Sequence, residues 1–146
     1  MLFLLRVGPV GIAQAGGLGE DTERRLRRSA ALPTSEDMIE ATDFHAHIYF
    51  DANEEEQARS LARAARERFD LSVGHFHSRP VGPHPRGSCQ LTIPPSDFGP
   101  FAAWIAVNRE ALTIFAHAST GDDKADHTRH VIWFGPSETL DLSIFD

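Results

Sequence analysis

The sequence predicts an α+β domain, an antiparallel sheet with its helices on one face. Three observations lead there. From Ala41 onward, stretches in which apolar and polar residues alternate exchange with stretches at helical spacing, in the order β-α-β-β-α-β. Each helical stretch carries a single apolar stripe, which needs a greasy sheet face to cover it. Alternate positions on the strands supply such a face and leave the opposite one rich in histidine. The chain has eight histidines, all between His45 and His130.

Each element has its own warrant. Phe44–Phe50 reads as a strand with Ala46, Ile48 and Phe50 on one face and His45, His47 and Tyr49 on the other. Asp51 or Asn53 can cap the helix that follows, whose stripe is Ala58, Leu61, Ala62, Ala65 and Phe69. Leu71–Ser78 reads as a second strand, with Gly74 and Phe76 on one face and Val73, His75 and His77 on the other. The connection Arg79–Pro85 is stiff, because its prolines fix φ and remove donors. Ser88–Ile93 is a third strand, with Cys89, Leu91 and Ile93 opposite Gln90 and Thr92. Ser96 or Asp97 can cap a second helix, with Pro100 in its first turn and Phe101, Trp104, Ile105 and Leu112 as its stripe. A fourth strand runs from about Leu112 to His117, and a short fifth is expected at His130–Phe134.

This order is the ferredoxin-like unit plus a short C-terminal extension. No predicted helix is left for the histidine face, so that face is expected to be a site, an interface or both. Residues 1–40 read as a poorly ordered leader and 41–146 as the domain. The leader is too short in apolar run to span a bilayer and lacks the basic start of a signal peptide, so the expected location is cytoplasmic, with no membrane partner. The basic run Arg24–Arg28 reads as a solvated tail.

Composition narrows the chemistry. At 146 residues, with 41% hydrophobic and 24% charged, the chain fits one soluble domain. Its net charge of -7, without a basic cluster on a folded segment, disfavours nucleic acid. A single cysteine, Cys89, excludes an internal disulfide and any cysteine-built zinc or iron–sulfur site.

Imidazole is the commonest side-chain ligand for iron, zinc, copper and nickel. A His-x-His pair on a strand puts both rings on one side, and the chain has His45/His47 and His75/His77. In the usual strand order the first and fourth strands are antiparallel neighbours, which brings His45, His47 and His117 to one end of the sheet as candidate metal ligands. His77 and His84 then lie toward the other end and line a pocket. His75 and His130 read as solvated strand residues. The Thr120–Asp123 segment reads as a turn without calcium-loop spacing.

Several motifs together resemble a known family. FHAHIYFD at Phe44–Asp51, HSRPVGPHP at His77–Pro85 with Gln90 after it, Asn108-Arg109, and TGDDKADHT at Thr120–Thr128 followed by Trp133-Phe134-Gly135 are similar to the DOPA 4,5-dioxygenase family over about residues 43–146. The resemblance implies a ferredoxin-like homodimer that cleaves a catechol with O₂ in extradiol fashion on non-haem Fe(II), with zinc as a possible substitute. It carries the family's histidines onto His45, His47, His77, His84, His117 and His127. Ala118 departs from the proline expected after His117.

In this reading His45, His47 and His117 bind the metal, and His77 or His84 moves the catechol proton. Arg79 or Arg109 meets a substrate carboxylate, with Gln90 and His127 as further substrate contacts. No Asp or Glu falls on the histidine face as read from the sequence, so either Asp126 reaches it from the tail loop or the site is all-histidine. The alternative is a non-catalytic, dimeric metal- or small-molecule-binding protein of the same fold. A haem-degrading enzyme is a third reading, against which the polarity of the histidine face speaks.

Overall fold

The structure is a computed structural model and describes residues 38–146. The signal-peptide and basic-run readings, and nearly all of the expected leader, lie outside the described residues. The elements are β1 (Asp43–Phe50), α1 (Glu55–Arg68), β2 (Ser72–His77), β3 (Gly87–Ile93), α2 (Pro95–Asn108), β4 (Thr113–Ser119), a single helical turn α3 (Asp123–Asp126), β5 (Val131–Phe134) and a 3₁₀ turn at Leu142–Phe145. The strands lie in the order β2-β3-β1-β4-β5. Every neighbouring pair is antiparallel. This is the expected α+β, ferredoxin-like sheet. The fifth strand is no separate appendage, because it pairs with β4 and widens the sheet.

The greasy face forms as the alternation requires. Ala46, Ile48 and Phe50 from β1, Cys89, Leu91 and Ile93 from β3, and Ile114 and Ala116 from β4 are buried against α1 and α2. Helix α1 contributes Ala58, Leu61, Ala62 and Ala65, and α2 contributes Phe101 and Ile105. Each large side chain buried there is worth about 1.5–3 kcal/mol. The Cys89 thiol sits in this layer, and burial pushes its pKa up to about 12, so it is no nucleophile.

Several expectations are corrected. Neither long helix has a side-chain cap. Helix α1 starts after Glu54, whose carboxylate instead accepts from the Asp51 N–H at 2.8 Å. Helix α2 starts at Pro95, where a missing N–H costs nothing, and Pro100 lies inside it, beyond the first turn. Leu112 belongs to the core but not to α2, which ends at Asn108. In β2 the register slips between Val73 and Phe76, so Val73 joins Phe76 on the helix side rather than the histidines. That bulge resets the alternation. The histidine face is also less open than expected, since Tyr49 and Phe115 on it are fully buried.

Candidate metal centre and pocket

The antiparallel register sets His45 directly opposite His117, and His47 opposite Phe115. Ring centroids are 5.1 Å apart for His45 and His117, and 5.5 Å for His47 and His117. One nitrogen from each of His45, His47 and His117 lies within 4.8 Å of the others. The Ala118 carbonyl lies 2.8 Å from His117 Nδ1 and accepts its proton, which leaves the Nε2 lone pair free. Nε2 of His117 and Nε2 of His47 are both buried without a hydrogen-bond partner among the described residues. A buried polar atom without a partner is costly. Two of them from adjacent strands, in a three-imidazole set, are what a metal would satisfy, and the donor set fits iron or zinc.

Burial is the first cause of the histidines' depressed pKa values. It lowers His117 to about 4, despite the Ala118 hydrogen bond. Burial, reinforced by the neighbouring His84 and His117, holds His47 well below its ordinary value. These rings are neutral at pH 7, the form that ligates. Ala118, the departure from the expected proline, keeps β4 running to Ser119, and its own N–H donates to the His130 carbonyl at 3.0 Å. Proline could not make that bond.

The remaining candidates divide. His84 is brought in. Its ring centroid lies 3.8 Å from that of His47, and its Nδ1 lies 2.9 Å from the Tyr49 hydroxyl. Burial, with His127 and His117 nearby, lowers His84 to about 4. Burial raises the Tyr49 phenol, so it stays protonated and donates to His84 Nδ1. His127 also joins the cluster, with its ring 4.2 Å from that of His117 and its Nδ1 bonded to the Asp123 carbonyl at 2.7 Å. His77 and Gln90 line an open pocket of about 400 Å³ beside the cluster, whose wall includes His47, His75 and His84. Arg79 lines an adjoining cleft with His75 and His77. His75, expected as a solvated residue, is exposed but belongs to this pocket wall.

Arg109 is not brought to the cluster. It lines a groove with Gln57 and Trp104 from the two long helices, and its guanidinium donates to the Leu112 carbonyl at 2.8 Å and the Glu110 carbonyl at 3.2 Å. Asp126 is committed elsewhere too. It accepts from Thr120 N at 2.7 Å, Thr120 Oγ1 at 2.6 Å and His130 Nδ1 at 2.9 Å. It braces the turn that carries His127. His130 is thus a half-buried hydrogen-bonding partner rather than a solvated residue.

One acidic group escaped the sequence reading. β1 begins at Asp43, which puts that side chain in phase with His45 and His47. Asp43 Oδ1 lies 3.0 Å from His45 Nε2 and is buried, yet the contact lacks hydrogen-bond geometry. Extending the alternation by one step toward the N-terminus would have found it. The C-terminal segment was also missed. The Asp141 N–H donates to the Pro83 carbonyl at 2.9 Å, Glu138 pairs with Arg86 at 3.0 Å, and Phe145 packs on His127 at 4.9 Å. These contacts strap down the loop bearing His84 and the turn bearing His127.

Fold and site together define an α+β protein with a three-histidine centre, able to hold a metal ion, beside a pocket. Residues 44–144 match the model of the Dopa 4,5-dioxygenase family. The chain belongs to that family. It is 34% identical over 113 residues to a DOPA 4,5-dioxygenase of Amanita muscaria, covering 71% of this chain and 50% of that protein. It is 36% identical over 113 residues to an uncharacterised 21.2 kDa protein of Botryotinia fuckeliana, covering 69% of this chain and 62% of that one. The matches therefore span under two thirds of the length of either curated relative. A solved structure from Nostoc punctiforme, described as a candidate dioxygenase, superposes with a TM-score of 0.68 at 35% identity, covering 70% of this chain and 89% of that one.

Proposed function

We propose that this chain is a metal-dependent extradiol dioxygenase that opens the ring of a catechol with O₂. The observation that carries the reading is the pair of buried, unpartnered Nε2 atoms on His47 and His117, next to a pocket walled by further imidazoles. His45, His47 and His117 would hold the ion, with Fe(II) the metal suited to the family's reaction and zinc a substitute. The chemistry a bound iron supplies there is activation of O₂ beside a chelated catecholate. Tyr49 fixes the tautomer of His84: with Nδ1 accepting from the phenol, Nε2 carries the proton. His84 is thereby set up to donate to a substrate oxygen, and His77, which lines the same pocket, to accept a catechol proton. The buried Phe115 behind the cluster keeps water from that side.

The proposal includes a cytoplasmic homodimer, its oligomeric state open to gel filtration. No helix among the described residues is long and apolar enough to cross a membrane. The decisive experiment supplies Fe(II) anaerobically, adds a catechol and then air. Oxygen uptake with a yellow ring-opened product is expected, and His84→Gln should lower kcat by about 100-fold with metal still bound. An iron-loaded sample inert toward several catechols would overturn the assignment.

A further inference from the structure

Strand β2 carries a pair of imidazoles outside the three-histidine centre. Val73 pairs with Leu91 and Phe76 with Cys89, so Gly74 and His75 together face Gln90, where an even ladder has one residue. An extra residue of this kind re-aims the side chains around it. Gly74 permits the close approach, since a Cβ there would stand 3.1 Å from the Gln90 carbonyl oxygen. The rings of His75 and His77 end with centroids 4.8 Å apart and planes at 72°. His45 and His117, inside the three-imidazole set, stand in nearly the same relation, at 5.1 Å and 83°. Two imidazoles on one ion, each bound at about 2.0–2.1 Å, hold their ring centres roughly 4.5–5.2 Å apart. Neither His75 nor His77 hydrogen-bonds to another described residue, whereas His84, His117, His127 and His130 each do. Both are exposed at the pocket wall, so an ion reaches them from solvent. Gln90 lines the same pocket, and its amide nitrogen donates to Thr92 Oγ1 at 3.1 Å, which leaves the amide oxygen as a further donor to an ion. Two imidazole nitrogens and a neutral oxygen suit zinc or copper(II) rather than magnesium or calcium.

We propose that His75 and His77 form a second metal site, for a zinc-class divalent ion, on the pocket wall. With two protein nitrogens against three, and exposed to water, it is weaker than the three-histidine centre and fills after it. An ion held there occupies the lone pair of His77, so on the ring-cleavage reading it blocks the proton acceptor. The site itself rests on β2 alone and stands whether or not the chain opens a catechol ring. The test is calorimetric titration of metal-free protein with zinc chloride. Two binding steps are expected, the weaker in the micromolar range. His75→Gln should weaken the second step about tenfold and leave the first unchanged. His117→Ala should do the reverse, weakening only the first. His75 is exposed, so its substitution leaves the fold intact, which circular dichroism checks. A single step in the unaltered protein, or a second step that survives His75→Gln at full strength, would overturn the proposal. Absence of oxygen uptake by iron-loaded protein with a catechol bears on the ring-cleavage reading only, because the titration reads the ion directly.

Discussion

The two faces of one sheet solve opposite problems. On the helix side Ile48, Leu91, Ile93 and Ile114 are completely buried among apolar neighbours, and nothing there needs a partner. On the other side His47, His84 and His117 are almost as deeply buried, yet two ring nitrogens have no partner among the described residues. Strands β1 and β4 carry both kinds, His47 beside Ile48 and His117 beside Ala116. The contrast shows where stability is made and where it is given up for function.

The sharpest way to break the contrast is to truncate one residue on each face. Ile114→Ala should cost about 3 kcal/mol in denaturant unfolding, by lost burial and a cavity, with metal affinity little changed. His117→Ala removes an unsatisfied group, so apo stability should stay within about 1 kcal/mol, while zinc affinity falls roughly 30-fold by competition with a chromophoric chelator. Equal stability losses from the two would mean that the histidine face is ordinary core.

Acid titration probes the same difference through protons rather than truncation. His84 and His117 have folded pKa values near 4, below the unfolded imidazole value of 6.5, because burial disfavours their charged forms. Between those values the unfolded chain binds protons that the native chain does not. Apo stability should therefore be complete above about pH 6.5 and fall steadily toward pH 4, by about 3 kcal/mol for each of the two rings. The thermal midpoint of apo protein, followed across that range, checks this, and a flat profile would contradict neutral burial of the rings.

The smallest effect tests Asp43. If its carboxylate steers His45, Asp43→Asn should weaken zinc binding about tenfold with the fold unchanged by circular dichroism. Unaltered affinity would mean that the 3.0 Å contact with His45 is incidental.

Period-two alternation in Phe44–Phe50 and Ser88–Ile93 made most of the fold legible, because burial on one face enforces it. The histidine convergence followed once strand order was assumed. What stayed hidden depends on geometry that residue spacing does not encode. The bulge at Gly74 and His75 exists only in pairing with β3, so the side of Val73 was misread. Arg109 looked available for substrate, but a nearby turn with φ of 53° at Glu110 presents carbonyls to it. Asp126 looked free because its partners, Thr120 and His130, lie beyond its nearest neighbours in sequence. The strap of Glu138, Asp141 and Phe145 carries no local signature at all.

That strap has a consequence for synthesis. His84 sits in a loop whose Pro83 carbonyl is held by the Asp141 N–H, and Arg86 in the same loop is held by Glu138. Both partners leave the ribosome more than fifty residues later, a separation that the Arg86–Glu138 pair, 52 positions apart, makes concrete. The nascent chain can thus pair its first four strands while the loop bearing His84 is still loose, and the centre gains its final shape only as Glu138 and Asp141 emerge.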